Sequence, residues 1–252
     1  MTSSGRPGPP AQPGDAARRP PGLVVCLLLS CHPLPAAAMT VGLTAAAALT
    51  GRSGPQCLLV AATVAAGQLT IGWINDVVDA DDDRRTGRAD KPVALGWVQP
   101  RTVVWATVAM TLLVVPLSLA NGTEAGLAHL GFVLSAWIYD LGLKRTLLSW
   151  LPYVVGFGLL PAFVSYGGLG PGRHGGPPTI AMTVVAALVA VGIHFLNTLP
   201  DLVDDAQTGV RHLPLLVAER IGVGRLRRVS AGYTAAAAVA MLVTALTVGV
   251  RQ

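Results

Sequence analysis

The chain has 252 residues, a formal net charge of +5 and 52% hydrophobic residues, with only 12% charged. Soluble domains carry about 25% charged residues. The mean hydropathy of +0.57 comes from long apolar blocks, so neither a soluble globular domain nor a disordered chain fits. The basic residues are dispersed over short loops, which argues against a nucleic-acid partner.

Residues 1–21 are rich in Pro, Gly and small residues and are expected to form a disordered cytoplasmic tail ahead of one domain spanning 22–252. Arg18 and Arg19 followed by LVVCLLLS could pass for a signal peptide. The apolar run continues to about residue 50, however, too long for the hydrophobic region of such a peptide. A first membrane helix is expected there, bent near His32-Pro33 and Pro35. Further spans are expected at 55–76, 102–120, 123–141, 147–168, 178–199 and 229–249. Their length and Ala/Leu content favour helices, and the ten-residue alternation of a membrane barrel is missing. Cys26, Cys31 and Cys57 fall in or near these apolar segments and read as small hydrophobes, not a disulfide or zinc framework.

Threading seven spans from a cytoplasmic N-terminus leaves 15 of the 18 Lys and Arg inside, and only Arg52, Arg173 and Arg251 outside. This is the bias expected of a protein of the cell membrane with its N-terminus in the cytoplasm.

Nine of the 13 acidic residues fall in two groups, Asp90 counted with the first, both at the cytoplasmic ends of spans. The first reads Asn75-Asp76-Val-Val-Asp79-Ala-Asp81-Asp82-Asp83. At about 100° per residue, Asp76, Asp79 and Asp83 share one helix face with Asn75 beside them, and Asp81 and Asp82 point away. The second reads Asn197-Thr-Leu-Pro-Asp201-Leu-Val-Asp204-Asp205. On a continuous helix Asn197, Asp201 and Asp205 share a face. Carboxylates stacked in this way repel one another and are costly at a membrane boundary. A hard divalent cation offsets both effects; Mg²⁺ is usually held by one or two carboxylates together with a substrate phosphate. Two facing clusters would clamp a diphosphate between two metals. Arg84, Arg85, Arg88 and Lys91 follow the first cluster, Lys144 and Arg145 end the fourth span, and Arg211 follows the second cluster, which suits an anionic ligand.

These residues resemble the UbiA superfamily of intramembrane prenyltransferases. Asn75-Asp76-x-x-Asp79-x-x-x-Asp83 is similar to its first motif, NDxxDxxxD. Thr86 to Pro92 resembles its basic loop, and Tyr139 to Lys144 its YxxxLK segment. Asn197, Asp201 and Asp205 resemble its second motif, and Gly209-x-Arg211-x-Leu213-Pro214 follows as in many members. The likeness covers about residues 22–225. It implies an all-α transmembrane bundle of about seven to nine helices around a central cavity. It also implies two Mg²⁺ ions held by Asn75, Asp79, Asp83, Asn197, Asp201 and Asp205, with Asp76 as a further candidate. The implied partners are an isoprenyl diphosphate donor, an acceptor the sequence does not name, and the lipid bilayer. Arg88, Lys91, Lys144 and Arg211 would neutralise the diphosphate, and Tyr139 would face the cation or the diphosphate.

Such a cation needs a dry pocket and profits from aromatic faces; Trp73, Trp137, Tyr139, Tyr153 and Phe195 are the candidates. His32 is expected to make a structural hydrogen bond to a neighbouring helix and Asp140 to be a helix-end charge, and His194 and His212 are secondary candidates for the cavity. Members usually have three spans after the second motif, and this chain has room for about one, with a short segment at 213–224. Three other readings stay open: a membrane terpene cyclase with the same metal site, a truncated inactive relative, and a non-enzymatic ion transporter.

Overall fold

The computed structural model describes residues 20–87, 91–167, 175–207 and 209–250. The N-terminal tail up to residue 19, Arg88, Asp90, Arg173 and Arg251 lie outside them. The described residues form eleven α-helices and no strand: α1 Leu23–Ser30, α2 Pro33–Leu49, α3 Gly54–Val78, α4 Ala80–Thr86, α5 Pro100–Leu119, α6 Thr123–Asp140, α7 Leu151–Tyr166, α8 Ile180–Thr198, α9 Leu202–Gln207, α10 Leu213–Ile221 and α11 Val223–Thr247. A 3-10 turn at Leu143–Arg145 joins α6 to α7.

Each expected span finds a helix. Helices α3, α5, α8 and α11 are long and apolar enough to cross a membrane, and α1 with α2 makes a fifth span if the bent pair counts as one. α7, at 16 residues, and α6, which buries His129, Ser135 and Asp140 among its neighbours, fall short of that test. The outward faces of α5 and α11 are lined with exposed Val, Leu and Trp105. In water such faces would be an aggregation hazard; in lipid they are ordinary surface.

The expected bend is sharp. The chain turns by 70° between α1 and α2, with His32 in the left-handed conformation at φ 55°. Pro33 disfavours the α conformation for the residue before it and has no N–H to continue the ladder, so the helix breaks readily here. A left-handed non-glycine residue costs on the order of 1–3 kcal/mol and persists only where its surroundings fix it. Here they do. Trp73 Nε1 donates to Leu27 O at 2.7 Å, pinning α1 to α3. The Cys31 backbone lies directly on Gly72, where a Cβ would meet it at 2.5 Å. Cys26, Cys31, Trp73, Val93, Val98 and Val103 form one buried cluster, which draws the loop after α4 under the same break.

α3, α5, α6, α7, α8 and α11 pack in sequence, with α2 against α3 and α7. α11 sits close on α8, since a Cβ on Gly192 would meet Thr234 Oγ1 at 2.2 Å. It begins six residues before the expected span, so Arg225, Arg227 and Arg228 are helical and exposed. At the end of the bundle holding the 50–53 loop, Arg52 is buried. Its Nη2 donates to Phe163 O and Val164 O at 2.7 and 3.1 Å, and its Nη1 to Asn121 Oδ1 at 3.0 Å. The guanidinium thus satisfies carbonyls that the last turn of α7 leaves without helical partners.

Gly72→Ala is expected to destabilise the protein by about 1–3 kcal/mol, because α3 cannot keep its seat on Cys31. Thermal unfolding in detergent measures this; an unchanged Tm would show that the break is not fixed by this contact.

Candidate active site

Both acidic motifs fall on interrupted helices, at the same end of the bundle. α3 stops at Val78, Asp79 is the joint, and α4 resumes at Ala80. α8 stops at Thr198, and α9 begins at Leu202. The continuous second stripe expected from periodicity is therefore broken. Pro200 has no N–H to extend the ladder, and the chain turns once, with Asp201 N bonding Thr198 O at 3.2 Å. The break does not scatter the motif: Asn197, Thr198, Asp201, Asp204 and Asp205 all line one cavity of about 190 Å³.

Asn75, Asp79, Asp82, Asp83 and Thr86 form the opposing wall, with His32, Lys91, Tyr139, Lys144, Arg145 and His212 around the rim. Six carboxylates meet three cations in this lining, an excess of three negative charges. Each of several acids is held by a base. Lys144 Nζ bonds Asp79 Oδ1 and lies 3.8 Å from Asp140 Oδ1. Lys91, almost fully buried, lies 3.9 Å from Asp83 Oδ2 and 4.0 Å from Asp76 Oδ1. Arg145 bonds Asp82, which Arg85 also reaches.

The Asn75 amide sorts this charge. Its Nδ2 donates to Asp79 Oδ2 at 2.9 Å and to Asp140 Oδ1 at 3.0 Å. Its Oδ1 faces the bases, accepting from Lys91 Nζ at 3.3 Å. His32 Nε2 stands 2.8 Å from that oxygen and 2.9 Å from Lys91 Nζ, its role set by its tautomer. On the second wall Asn197 Nδ2 donates to Tyr153 Oη at 3.1 Å. Tyr153 belongs to an aromatic group with Tyr139 (5.0 Å between centroids, edge to face) and His194 (4.9 Å). His194 Nε2 is 3.0 Å from Ser149 Oγ.

Sequence and structure differ in detail. Asp76 is fully buried behind the wall, where its Oδ2 accepts from Val93 N at 3.4 Å, so it anchors the 91–98 loop. Asp82, expected to point away, lines the cavity: three residues on from Asp79, it lies only about 60° around the helix from it and shares its side; Asp81 does point away, exposed and paired with Arg84. Asp140 is a buried member of the network, not a solvated helix end, and its spacing of four from Lys144 was a visible signal. His32 belongs to the rim. Arg211 is exposed, beyond the lining of the cavity. Trp73 packs on α1, away from the cavity.

The family model for the UbiA prenyltransferase family matches residues 36–251. The chain belongs to that family. Among curated proteins, this UbiA chain is 31% identical over 182 residues to the bacteriochlorophyll synthase 33 kDa chain of Cereibacter sphaeroides, covering 65% of the chain and 56% of that protein. It therefore spans little more than half that relative's length. Among solved structures it resembles a UbiA homolog from Archaeoglobus fulgidus bound to GPP and Mg²⁺, with TM-score 0.69, 16% identity, and coverage of 88% of this chain and 78% of that one. The same homolog bound to DMAPP and Mg²⁺ gives TM-score 0.66, 18% identity, and coverage of 85% and 75%. At these identities the likeness speaks for the fold.

The donor set of this UbiA site suits a hard cation. It offers carboxylate and amide oxygens, an excess of negative charge and no thiolate. Among the described residues no three acidic, His or Cys groups converge on one point. That is compatible with Mg²⁺, which takes one or two carboxylates and completes its shell with water and phosphate.

Lys144→Met is expected to lower stability in EDTA by about 1–3 kcal/mol, because Asp79 and Asp140 lose their shared cation. Added Mg²⁺ should then raise its Tm more than that of the unaltered protein. Equal melting in EDTA would show that this pairing contributes nothing.

Proposed function

We propose that this chain transfers an isoprenyl group from an isoprenyl diphosphate to an acceptor within the membrane, with Mg²⁺ at the two acidic motifs. The observation that carries the reading is the convergence of two Asn/Asp motifs, from distant parts of the chain, on one cavity that also holds lysines. Asn75, Asp79, Asp83, Asn197, Asp201 and Asp205 would hold two ions. Bound there, Mg²⁺ would draw off the negative charge that builds on the departing diphosphate oxygens.

The chain's own residues supply the rest. Lys91 and Lys144, which line the cavity, neutralise the leaving diphosphate, with Arg88, which follows the first motif in the sequence; Arg211, exposed beyond the lining, is not given this role. The bond between the allylic carbon and the diphosphate oxygen breaks, and its electron pair leaves with the diphosphate. The acceptor's nucleophile then gives a pair to that carbon and loses a proton. Tyr139, edge-on to Tyr153 beside the acids, offers an aromatic surface to the allylic cation, and the apolar packing beyond it keeps water away. Asp76 is given to holding the 91–98 loop rather than to a metal.

The distribution of Lys and Arg favours a cytoplasmic site in the cell membrane, with the N-terminus on the same side. The burial of Arg52 as a helix-end partner fits this orientation, since it explains one of the few basic residues assigned to the other side.

Diphosphate release by protein purified in detergent tests the reading, with geranyl, farnesyl and geranylgeranyl diphosphates supplied in turn. Release should require Mg²⁺, stop in EDTA, and fall by about 10²–10³-fold in Asp79→Ala and in Asp201→Ala. It should also depend on added membrane extract as the source of acceptor. Release without extract, with a cyclised product, would replace transfer by cyclisation. No release from any donor would overturn the enzymatic reading.

A further inference from the structure

We propose that His212 is a positioning residue for the second acidic motif: it holds the Asp205 carboxylate in place from the N-terminus of α10. The inference rests on the reading of Asp205 as a metal-holding residue and extends it to a histidine outside both motifs.

His212 is 2% exposed and flanks the cavity. Its two ring nitrogens do different work. Leu215 N donates to Nδ1 at 3.1 Å, so the ring caps α10 in place of the usual Ser or Asp. An Nδ1 that accepts carries no proton. The proton of the neutral ring is therefore on Nε2, which lies 2.9 Å from Asp205 Oδ2 and donates to it. The backbone of α10 thus fixes the tautomer, and the tautomer fixes the carboxylate. This is the arrangement by which an outer hydrogen bond orients a ligating group, although here the carboxylate is the ligand and the histidine the support.

The support is itself rigid. Leu215, Ala218 and Leu226 form a buried cluster with Leu202, the first residue of α9. α9 has only six residues and follows a proline break. Through His212 it borrows the anchorage of α10 and α11. This gives a role to the short 213–221 helix, which is not a span.

Two substitutions separate the two functions of the ring. Asn at 212 keeps an acceptor for Leu215 N but is too short to reach Asp205. Gln keeps a donor at the distance of Nε2 but is a poor cap. The probe is Mn²⁺ with inorganic pyrophosphate, read by the EPR signal of free Mn²⁺ on the purified full chain, with Tm measured alongside. His212→Asn should weaken Mn²⁺ binding about 10–100-fold with Tm nearly unchanged. His212→Gln should keep the affinity within about threefold and lower Tm by about 2–4 °C. Unaltered affinity in His212→Asn, or parallel loss of affinity and Tm in both variants, would overturn the proposal. Asp79→Ala separates this failure from that of the reading beneath it. If the unaltered protein binds Mn²⁺ no better than Asp79→Ala, the metal site itself is wrong and the role of His212 falls with it.

Discussion

Everything in this fold answers to the cost of gathering carboxylates at the end of an apolar bundle. Six of them line a single cavity. Each prefers water, and each repels its neighbours. The structure meets that cost by setting acids against bases at short range: Lys144 between Asp79 and Asp140, Lys91 between Asp76 and Asp83, Arg145 on Asp82. Asn75 completes the scheme because an amide has a donor end and an acceptor end, and it turns each toward the opposite charge. An excess of negative charge remains, and it is what makes the cavity suitable for divalent ions and for the diphosphate they would bring.

The helices are shaped to this end. A membrane span run straight through would have carried its acids past the cavity or left them in the apolar layer. Instead α3 and α8 are each interrupted within their Asn/Asp motif, and a short helix follows each break. The 91–98 loop closes behind the first motif through Val93 and Val98, with Asp76 as its anchor. α10 closes behind the second. The left-handed His32 fits the same logic, since only a broken first span can bring an imidazole from α1–α2 to the rim.

Much of this was legible in the residues. The apolar blocks located the spans, Pro33 marked the bend, and two Asn/Asp stripes followed by bases pointed to one site. The parts that were not legible have physical causes. Helical spacing puts Asp76 and Asp82 about 60° to either side of Asp79, and only the packing of the 91–98 loop on Asp76 decides that Asp76 is buried while Asp82 faces the cavity. Periodicity treated Asn197 to Asp205 as one helix although Pro200 stood in plain sight. The contributions of Asp140, His32 and His212 depend on contacts that only the packed bundle creates: His32 meets a residue 43 positions away, and Asp140 one 65 away. Arg52 counted as an outward charge in the sequence, and only its burial explains why it is there.

The separation of the two polar networks along the chain bears on how such a protein can be made. The bonds described for Asn75, Asp79 and Lys91 run between residues 32 and 144. Those of His194, Asn197 and His212 run between 149 and 215. The bonds of the first set can therefore form once α6 and Lys144 are in place, before the second acidic motif has been synthesised. That part of the first wall draws on no residue of the second half and need not wait for it.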